Sequence, residues 1–523
     1  MLCSGAYHWS QRLFHFKRNH AFVSFFRKHF TLPATFNGRH AEAQTLFGIQ
    51  YNVIPVRWQT LVLIGFAILN LIFMFAGIDA FGYTTAAQTV TQRAMYRRLM
   101  ALRSGIIAAV LCVPLYLFAS RNNILMLISG WDFQTFNVFH RWVGRWMMIH
   151  AAVHGIAFSF QYTINGGHSN YVQLIWQDFD IEMGTIAGLI GGIMCLLAFY
   201  PLRHYFYETF LLLHVGIAIA FTYMAWYHCV SFGYPEYMYC MVALWCFDYA
   251  VRIVRILYSG PFIKAHVKAE GNSIVIRIKP TLHWAPRPGQ YAYIYLMRYK
   301  FWESHPFSVI ENKDGSYIFV AQAQHGMTRY LHNRVSKMPN KEGDISILLE
   351  GWYGEQYPIR KYDTVLLIAG GVGITAMACA ALDLNKHTRN GQHVILVWVV
   401  RGQENLKWAY DQIDQLCATG HVDVRIYARG CESPVKEKHF DPDSTEDDQS
   451  ENSEYWKGAS IDYKERPVIQ ELIHTTIMEA PTNVAVVACG PSTLADECRQ
   501  AVVADVKNGN GYVDYFEDVY TWA

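Results

Sequence analysis

Four histidines in two long apolar stretches have a spacing that could support redox chemistry. His140 and His154 lie in one stretch, His214 and His228 lie in another, and each pair is fourteen residues apart. On an α-helix, fourteen residues turn through about 1400° and rise about 21 Å, which leaves the two side chains within about 40° of one face. Neutral imidazole is a common nitrogen ligand of haem iron. Two such helices side by side could therefore hold two b-type haems, one above the other.

A buried histidine in a membrane bundle can also do no more than hydrogen-bond to a neighbouring helix. For a single histidine, hydrogen bonding and metal ligation are equally good explanations, whereas two matched pairs favour metal ligation. His150 lies one turn before His154, and we predict a structural hydrogen-bonding role for it. His204 begins a helix in an arginine-rich loop and is predicted to be interfacial.

A second group of residues, in the middle of the chain, could hold a flat ring with polar edges. The segment 287–291 reads Arg-Pro-Gly-Gln-Tyr, and His305 to Ser308 follow it. A strand that ends in a proline-fixed turn presents backbone amides and a hydroxyl, which suits the isoalloxazine ring of a flavin. The simpler explanation is a turn that only closes a strand. The position of the segment just ahead of a nucleotide-binding pattern favours the flavin.

Two glycine-containing turns later in the chain could hold a dinucleotide. The predicted strand Thr364–Ala369 runs into Gly370 to Thr375, and a helix of small residues follows. Glycines allow the backbone to approach a pyrophosphate, and the helix N-terminus offers oriented N–H groups. A later strand ends in Cys489 to Pro491, a second turn at the same sheet edge, although it could be a plain strand ending. Arg401 could meet the 2′-phosphate of NADPH or be an ordinary surface arginine.

The secondary-structure elements that must position these residues change in type along the chain, from long apolar stretches to short strands and then to alternating strands and helices. Of the 523 residues, 52% are hydrophobic and 16% are charged, whereas a typical soluble chain carries about 25% charged residues. Six apolar stretches approach the ~20 residues that a membrane span needs, at 58–78, 104–120, 142–163, 184–201, 208–228 and 237–257. Pro114 makes the second the least regular. Residues 264–358 alternate as short strands, and residues 363–523 alternate strands and helices.

The predicted fold is a membrane α-helical bundle of about six spans, followed by an antiparallel β-barrel FAD domain and an α/β Rossmann-like NADPH domain. The predicted boundaries are 1–57 for a basic cytosolic N-terminal segment, 58–257 for the haem-binding membrane domain, 260–358 for the barrel and 359–523 for the nucleotide domain. A polar, acidic stretch at about 431–466 is predicted to be a disordered insertion.

Charge and cysteine patterns exclude several classes of protein. The net charge is +2 with scattered Lys and Arg, so no nucleic-acid partner is indicated. The eleven cysteines include no C-x-x-C pair, so neither a disulfide framework nor a zinc site is predicted. An even number of spans places both termini on one side, which the nucleotide chemistry makes the cytosol. Most arginines near span ends agree with that side, but Arg93, Arg97, Arg98 and Arg103 do not.

Several motifs together resemble the fungal-type ferric-chelate reductases, a branch of the superfamily that includes the NADPH oxidases. The resemblance covers nearly the whole chain from about residue 31. The membrane motifs that carry it are Pro55-x-Arg57, Arg121-Asn122-Asn123 and His140-Arg141-Trp142-x-Gly144-Arg145. The soluble motifs are the flavin and nucleotide segments above, the turn Glu350 to Gly354 with Trp352 at a place usually held by proline, and the aromatic C-terminus with Tyr515, Phe516 and Trp522.

The resemblance implies a role for each candidate residue. His140 and His214 would ligate an inner haem, and His154 and His228 an outer haem. The predicted cofactor-binding residues for FAD and NADPH are His305, Pro306, Phe307, Ser308, Gly370, Gly371, Gly373, Thr375, Arg401, Cys489, Gly490, Pro491 and Trp522. Ser308 and Cys489 are the candidate catalytic residues. Many members of that family begin with a signal peptide, an extracytoplasmic segment and one more span, and we expect this chain to be either a shorter variant or truncated at its start.

The implied activity is reduction of metal ions across a membrane. Electrons would pass from cytosolic NADPH to a ferric chelate or siderophore, or to Cu(II), on the far side and support iron uptake. The implied membrane is the plasma membrane, with a vacuolar or other internal membrane as the alternative, and an iron permease or oxidase would be a functional partner. Two other functions stay open. One is an NADPH oxidase that makes superoxide from O₂, and the other is a haem-binding membrane protein without catalysis.

Overall fold

The computed structural model describes residues 20–36, 38–76, 89–279, 286–312, 314–324, 326–354, 356–430, 456, 458–463 and 465–519. The chain divides into two compact units. Residues Gln44–Arg252 form the helical unit. Residues Lys17–Ala43 join Ile253–Trp522 in the second unit, which contains the barrel and the nucleotide domain.

The helical unit is a bundle built mainly of long helices. After α1 (His20–Phe26), which belongs to the second unit, the elements are β1 (Gln44–Leu46), β2 (Ile49–Asn52), α2 (Arg57–Phe75), α3 (Thr89–Ala119), α4 (Ile124–Ser129), α5 (Phe133–Gln177), α6 (Phe179–Leu197), α7 (Tyr200–Tyr205), α8 (Tyr207–Ser231) and α9 (Pro235–Ser259). Helix α3 continues through Pro114, and α5 contains a kink at Gly167. The strands β1 and β2 form a short antiparallel hairpin.

Four of these helices are long and apolar enough to cross a membrane, judged by length and composition within the described residues. They are Arg57–Phe75, Met95–Ala119, Phe179–Leu197 and Tyr207–Ser231. The other two predicted spans coincide with α5, which contains arginines and histidines, and with α9, which contains acidic residues and arginines. Each of the six predicted stretches therefore overlaps one long helix.

The Arg-Asn-Asn motif ties the turn after α3 to the last helix of the bundle. The backbone N–H of Asn122 donates to Asp248 Oδ1 over 2.8 Å, and the Asn122 side-chain amide donates to the same oxygen over 3.0 Å. The side chain of Asn123 accepts from the N–H of Leu125 and so caps α4. Asp248 is buried in α9. The motif thus closes one end of the bundle by hydrogen bonds.

The second unit contains the predicted antiparallel barrel. Its elements are β3 (Ile263–Glu270), β4 (Ser273–Ile278), β5 (Tyr291–Leu296), β6 (His305–Glu311), β7 (Tyr317–Gln322), α10 (Gly326–Val335) and β8 (Glu342–Tyr353). The strands close in the order β3-β4-β7-β6-β5-β8, with β8 pairing back to β3. Trp352 lies inside this barrel, 4% exposed, with its ring 5.2 Å from that of Tyr317. It therefore fills the core of the barrel.

The nucleotide domain is a parallel sheet with helices on both faces. Its elements are β9 (Thr364–Gly370), α11 (Ile374–Lys386), β10 (His393–Arg401), α12 (Tyr410–Thr419), β11 (Val422–Arg429), β12 (Ser460–Asp462), α13 (Ile469–Glu479), β13 (Val484–Gly490), α14 (Ser492–Asp505) and β14 (Val513–Val519). The strand order is β12-β11-β10-β9-β13-β14. The chain proceeds outward from β9 to β12 and then returns to β13, so the strand order reverses between β9 and β13. Ligands of open α/β sheets bind at the carboxyl ends of strands at such a switch point.

The last part of the predicted disordered insertion at 431–466 is ordered, which its composition did not indicate. Its first part lies outside the described residues. Trp456, by contrast, is 2% exposed in the core of the nucleotide domain, and its Nε1 donates to the carbonyl of Tyr410 over 3.2 Å. Residues Ser460–Asp462 form the edge strand beside β11. Burial of one tryptophan and strand pairing therefore hold residues 456–462 in the domain.

Within the predicted N-terminal segment 1–57, the described residues up to 43 belong to the second unit and pack against the nucleotide domain, whereas residues from Gln44 onward belong to the helical unit. The backbone N–H groups of His40, Ala41 and Glu42 all donate to the Asp496 carboxylate over 2.7–2.8 Å. Arg27 donates to the carbonyl of Val513. We refer to residues 27–43 as the N-terminal strap. It joins the start of the chain to α14 and β14.

Candidate functional site

The four predicted histidines meet in two pairs within the helical unit. The rings of His140 and His214 have centroids 6.3 Å apart with an interplanar angle of 74°. The rings of His154 and His228 have centroids 5.9 Å apart with an angle of 77°. The partners of each pair come from α5 and α8, as the matched spacing predicted. The structure thus brings together the four residues in the expected combination.

Three of the four rings are oriented by backbone carbonyls. Nδ1 of His140 lies 2.9 Å from the carbonyl oxygen of Leu115. Nδ1 of His154 lies 2.7 Å from that of Ala101, and Nδ1 of His228 lies 2.8 Å from that of Asp180. A carbonyl can only accept, so Nδ1 carries the hydrogen and Nε2 keeps its lone pair. Metal-bound histidines are held in this way, since the outer hydrogen bond fixes the tautomer and the ring orientation.

His214 differs from the other three ligand candidates. Its Nδ1 is buried and has no hydrogen-bond partner among the described residues. The two pairs are therefore not equivalent. Both rings of the His154–His228 pair are fixed by carbonyls, whereas only one ring of the His140–His214 pair is.

The geometry fits a metal held between two imidazoles. A metal–nitrogen bond to histidine is about 2 Å long, so two rings that share one metal have centroids about 6 Å apart, as both pairs do. The Nε2 lone pairs of His140, His154 and His228 are neutral nitrogen donors of the kind that haem iron takes. The histidine pairs can therefore hold two haems.

Two glycines that were not predicted from the sequence lie next to the rings of His154 and His228. A Cβ built on Gly105 of α3 would lie 2.5 Å from Nδ1 of His154. A Cβ built on Gly184 of α6 would lie 2.5 Å from Cε1 of His228. Real Cβ atoms essentially never come this close to another heavy atom. The only sequence signal for these residues is a small residue within an apolar stretch.

His150 has the structural role that was predicted for it. Its Nε2 lies 3.1 Å from Oδ1 of Asn70 in α2. The Asn70 amide donates its own hydrogen to the carbonyl of Phe66, which leaves Oδ1 to accept from His150. The side chain of His150 is 3% exposed and lies outside both pairs.

The two predicted flavin segments lie on adjacent strands of the barrel. Tyr291 pairs with Ser308, and Ile294 pairs with His305, in the register of β5 and β6. Pro306 and Phe307 lie between them, opposite Tyr293 and Ala292. The two segments therefore meet at one edge of the barrel, where Tyr291 and Ser308 are register partners. This arrangement suits a flat ring with polar edges.

Two carboxylates near the flavin segments were not singled out in the sequence. Ser308 is 4% exposed, and its hydroxyl lies 3.5 Å from Asp518 Oδ2 in β14. Glu350 is fully buried in β8, and it accepts hydrogen bonds from the hydroxyls of Tyr295 and Tyr353. Glu350 holds β5 and β8 together in this way, because each of its two oxygens accepts from a tyrosine hydroxyl. Ser308 is thus linked to the C-terminal strand.

The two predicted nucleotide turns pack directly against each other. Strands β9 and β13 are parallel neighbours, and Cys489 lies opposite Ala369. A Cβ on Gly373 would lie 2.7 Å from the carbonyl carbon of Cys489, and one on Gly370 would lie 2.8 Å from Cδ of Pro491. The glycines are therefore required for this close approach. Both turns lie at the carboxyl ends of the strands, at the switch point of the sheet.

The residues of these two turns differ in burial and in the hydrogen-bond partners of their polar groups. Gly371 has φ of +55° and open space where a Cβ would stand, and its carbonyl accepts a hydrogen bond from Nε1 of Trp398. Thr375 is 1% exposed, and its hydroxyl donates to the carbonyl of Val372. Cys489 is fully buried, whereas Gly490 has φ of +157° and touches Gly370. The structure therefore offers backbone groups here, and it gives the Thr375 hydroxyl an internal partner.

Arg401 has a neighbour that was not predicted. It is exposed at the end of β10, and Arg429 is its register partner at the end of β11. Within the described residues neither guanidinium forms an ion pair. Two adjacent arginines at the carboxyl edge of a sheet are the kind of group that binds a phosphate. Trp522, the remaining predicted residue, lies outside the described residues.

Comparison with protein families divides the chain in the same way as its fold. Residues 104–225 match a family described as "Ferric reductase like transmembrane component". Residues 258–357 match "FAD-binding domain" and residues 362–503 match "Ferric reductase NAD binding domain".

Curated relatives extend this similarity along the chain. One is a "Probable ferric reductase transmembrane component" from Candida albicans, 31% identical over 95% of this chain and 76% of the relative. Another is "Ferric/cupric reductase transmembrane component 2" from Saccharomyces cerevisiae, 30% identical over 96% of this chain and 72% of the relative. Among solved structures, a flavohemoglobin from Malassezia yamatoensis aligns over 83% of this chain and 99% of its own, with a TM-score of 0.36 and 14% identity.

Proposed function

The chain belongs to the family of fungal ferric reductase transmembrane components, and from that premise we propose that it carries electrons from cytosolic NADPH across a membrane to ferric chelates. The proposed path passes through FAD and two b-type haems. The observation that carries the proposal is the presence of two histidine pairs on the same two helices, with ring separations of 6.3 and 5.9 Å.

The chain's own residues supply the binding sites of this path. His140 and His214 would hold the inner haem, and His154 and His228 the outer haem. Flavins accept two electrons from a nicotinamide and pass them on singly, as haems require. The segment from His305 to Ser308 would hold the flavin ring.

The nucleotide would bind at the switch point of the sheet. The backbone of Gly370 to Gly373 would face the pyrophosphate, and the N-terminus of α11 would add oriented N–H groups. Cys489 to Pro491 would border the nicotinamide end from the neighbouring strand. Arg401 and Arg429 would bind the 2′-phosphate, which favours NADPH over NADH because only NADPH carries that group.

The proposed electron acceptor is inferred from the names of the curated relatives. Their names include both ferric and ferric/cupric reductases, so Fe(III) bound to a chelator or siderophore is the proposed substrate and Cu(II) a second one. One electron reduces Fe(III) to Fe(II), which chelators of the ferric ion bind less tightly. We place the protein in the plasma membrane with its soluble domains in the cytosol, where it would deliver Fe(II) to an iron permease or oxidase.

The test is NADPH-driven reduction of a ferric chelate by membranes that contain the full chain. An impermeant ferrous trap measures the product, with and without oxygen and superoxide dismutase. We expect reduction that continues without oxygen and is unchanged by the dismutase. Reduction that requires oxygen and is abolished by the dismutase would show that superoxide is the product. No oxidation of NADPH in any condition would show a binding protein without catalysis.

A further inference from the structure

Gly105 and Gly184 occupy equivalent positions beside the two histidines of the outer pair. We propose that both glycines are positioning residues, which allow His154 and His228 to reach the backbone carbonyls that orient them. The inference rests on the proposed haem ligation and adds to it the two residues that set the geometry of one haem site.

The same local arrangement occurs on two different helices. His154 donates to the carbonyl of Ala101, and Gly105 follows four residues later in α3. His228 donates to the carbonyl of Asp180, and Gly184 follows four residues later in α6. In an α-helix, residues i and i+4 lie one above the other on the same face. A ring that reaches the carbonyl at i therefore lies across the position at i+4.

The space at these positions leaves no room for a side chain. A Cβ on Gly105 would lie 2.5 Å from Nδ1 and 2.8 Å from Cε1 of His154. A Cβ on Gly184 would lie 2.5 Å from Cε1 and 2.8 Å from Cγ of His228. An imidazole ring is rigid, so it cannot yield at one atom. A methyl group would have to turn the ring or move the helix, and either change breaks the bond from Nδ1 to the carbonyl.

The inner pair lacks this arrangement. His140 donates to the carbonyl of Leu115, and the residue four positions later is Ala119, so that ring approaches its helix beside an existing Cβ. His214 has no carbonyl partner among the described residues. Loss of an outer hydrogen bond typically weakens metal binding about 10- to 100-fold. Substitution of either glycine should therefore act on the outer haem and leave the inner haem in place.

The chain provides matched controls for the substitutions. Gly155 follows His154 directly in α5, and Gly188 lies one turn after Gly184 in α6. Apart from the two adjoining residues and the backbone of its own helix, neither has a described atom within 4 Å of an added Cβ. Gly155→Ala therefore changes a glycine in the helix that carries His154, and Gly188→Ala changes a glycine in the helix that carries Gly184, and neither added methyl group meets another element.

The experiment measures haem directly in the full chain purified in detergent. The readouts are the haem-to-protein ratio, the reduced-minus-oxidised spectrum and a potentiometric titration. Gly105→Ala and Gly184→Ala should each remove about half of the haem, or shift one midpoint potential and leave the other unchanged. Gly155→Ala and Gly188→Ala should match the unsubstituted protein. Equal haem content, spectra and potentials in all four variants would overturn the inference.

A double substitution separates a clash with the ring from a general packing defect. In a His154→Ala background the ring is absent, so adding Gly105→Ala should change neither the yield of folded protein nor the inner haem. A further loss of yield would mean that Gly105 serves helix packing, and the inference would be wrong. If the unsubstituted protein itself bound no haem, the proposed function would fail before the glycines were tested.

Discussion

Nε2 of His150 donates to Oδ1 of Asn70 over 3.1 Å, one helical turn from His154, whose Nδ1 donates instead to the carbonyl of Ala101 over 2.7 Å. Two buried histidines on one helix thus have different surroundings. His150 joins α5 to α2 through a side chain, and its Nε2 is occupied. His154 keeps its Nε2 free and faces His228. The hydrogen bonds distinguish the proposed ligand from its neighbour.

This difference predicts opposite outcomes for two alanine substitutions. His154→Ala should remove the outer haem spectrum and abolish ferric reduction, because one of the two axial nitrogens is lost. Reduction of bound flavin by NADPH should persist, since that step uses the other unit of the protein. His150→Ala should retain both haems and lower stability by about 1–3 kcal/mol, the cost of leaving the Asn70 carbonyl unpaired. Difference spectra of both variants check this, and loss of the outer haem in His150→Ala alone would reverse the assignment.

Arg401 should determine which nicotinamide nucleotide is used. Arg401→Ala should raise KM for NADPH about 10- to 100-fold, because a charge-assisted hydrogen bond contributes about 1.5–3 kcal/mol. KM for NADH should not change, since NADH has no 2′-phosphate. Steady-state kinetics with both nucleotides measure the ratio. Lys407→Ala is the control, because Lys407 is also exposed and follows in the next turn. An equal loss with both nucleotides would show a structural role for Arg401.

Asp496 should hold the N-terminal strap on the nucleotide domain. Its carboxylate accepts three backbone N–H groups, from residues 40, 41 and 42. Asp496→Ala leaves these donors without their acceptor and should lower the free energy of unfolding by about 3 kcal/mol. Limited proteolysis should then cut within residues 27–43 faster than in the unsubstituted chain. The control is Glu497→Ala, because Glu497 is more exposed and pairs with Arg466 on the surface. Equal cleavage rates would contradict the role of Asp496.

Stability at alkaline pH should depend on Cys498. Burial, with the nearby charges of Glu497 and Glu517, raises the pKa of the Cys498 thiol above its ordinary value of 9.0. Above pH 9.0 the unfolded chain releases this proton while the folded chain keeps it. The folded state then binds more protons, so the free energy of unfolding falls as pH rises, by about 1.4 kcal/mol per pH unit for one group.

Thermal unfolding of the full chain between pH 8 and pH 11 measures this effect. The melting temperature of the unsubstituted protein should fall above pH 9.0, and Cys498→Ala should show a shallower decline. The comparison concerns the slope, since the substitution also removes buried volume. Identical slopes would mean that Cys498 does not couple to unfolding.

The parts of the fold that follow from local sequence were predictable. The spacing of His140 and His154 is a property of one helix, and the nucleotide turn at Gly370 to Gly373 is a property of one strand, loop and helix. Both therefore carry their signal in consecutive residues. The resemblance to the family added which histidine of α5 is paired with which histidine of α8. The bundle, the barrel and the parallel sheet were all found in the predicted order.

The contacts that could not be predicted depend on register between distant elements. Ala101 and Gly105 are ordinary residues of an apolar helix until α5 places His154 against them. Arg429 becomes a partner of Arg401 only through the pairing of β10 with β11. Asp496 at a helix start is usually explained by the helix dipole, and nothing in its neighbourhood indicates a strap from the other end of the chain.

The most direct test of the proposed path is electron transfer across a sealed membrane. Proteoliposomes that hold the full chain with its soluble domains outward would enclose a ferric chelate and a ferrous indicator, and NADPH would be added outside. We predict that the enclosed indicator reports Fe(II) without oxygen, and that this signal disappears in His154→Ala and in His228→Ala. Enclosed Fe(II) formation that persists in both variants would contradict the account, because electrons would then cross without the outer histidine pair.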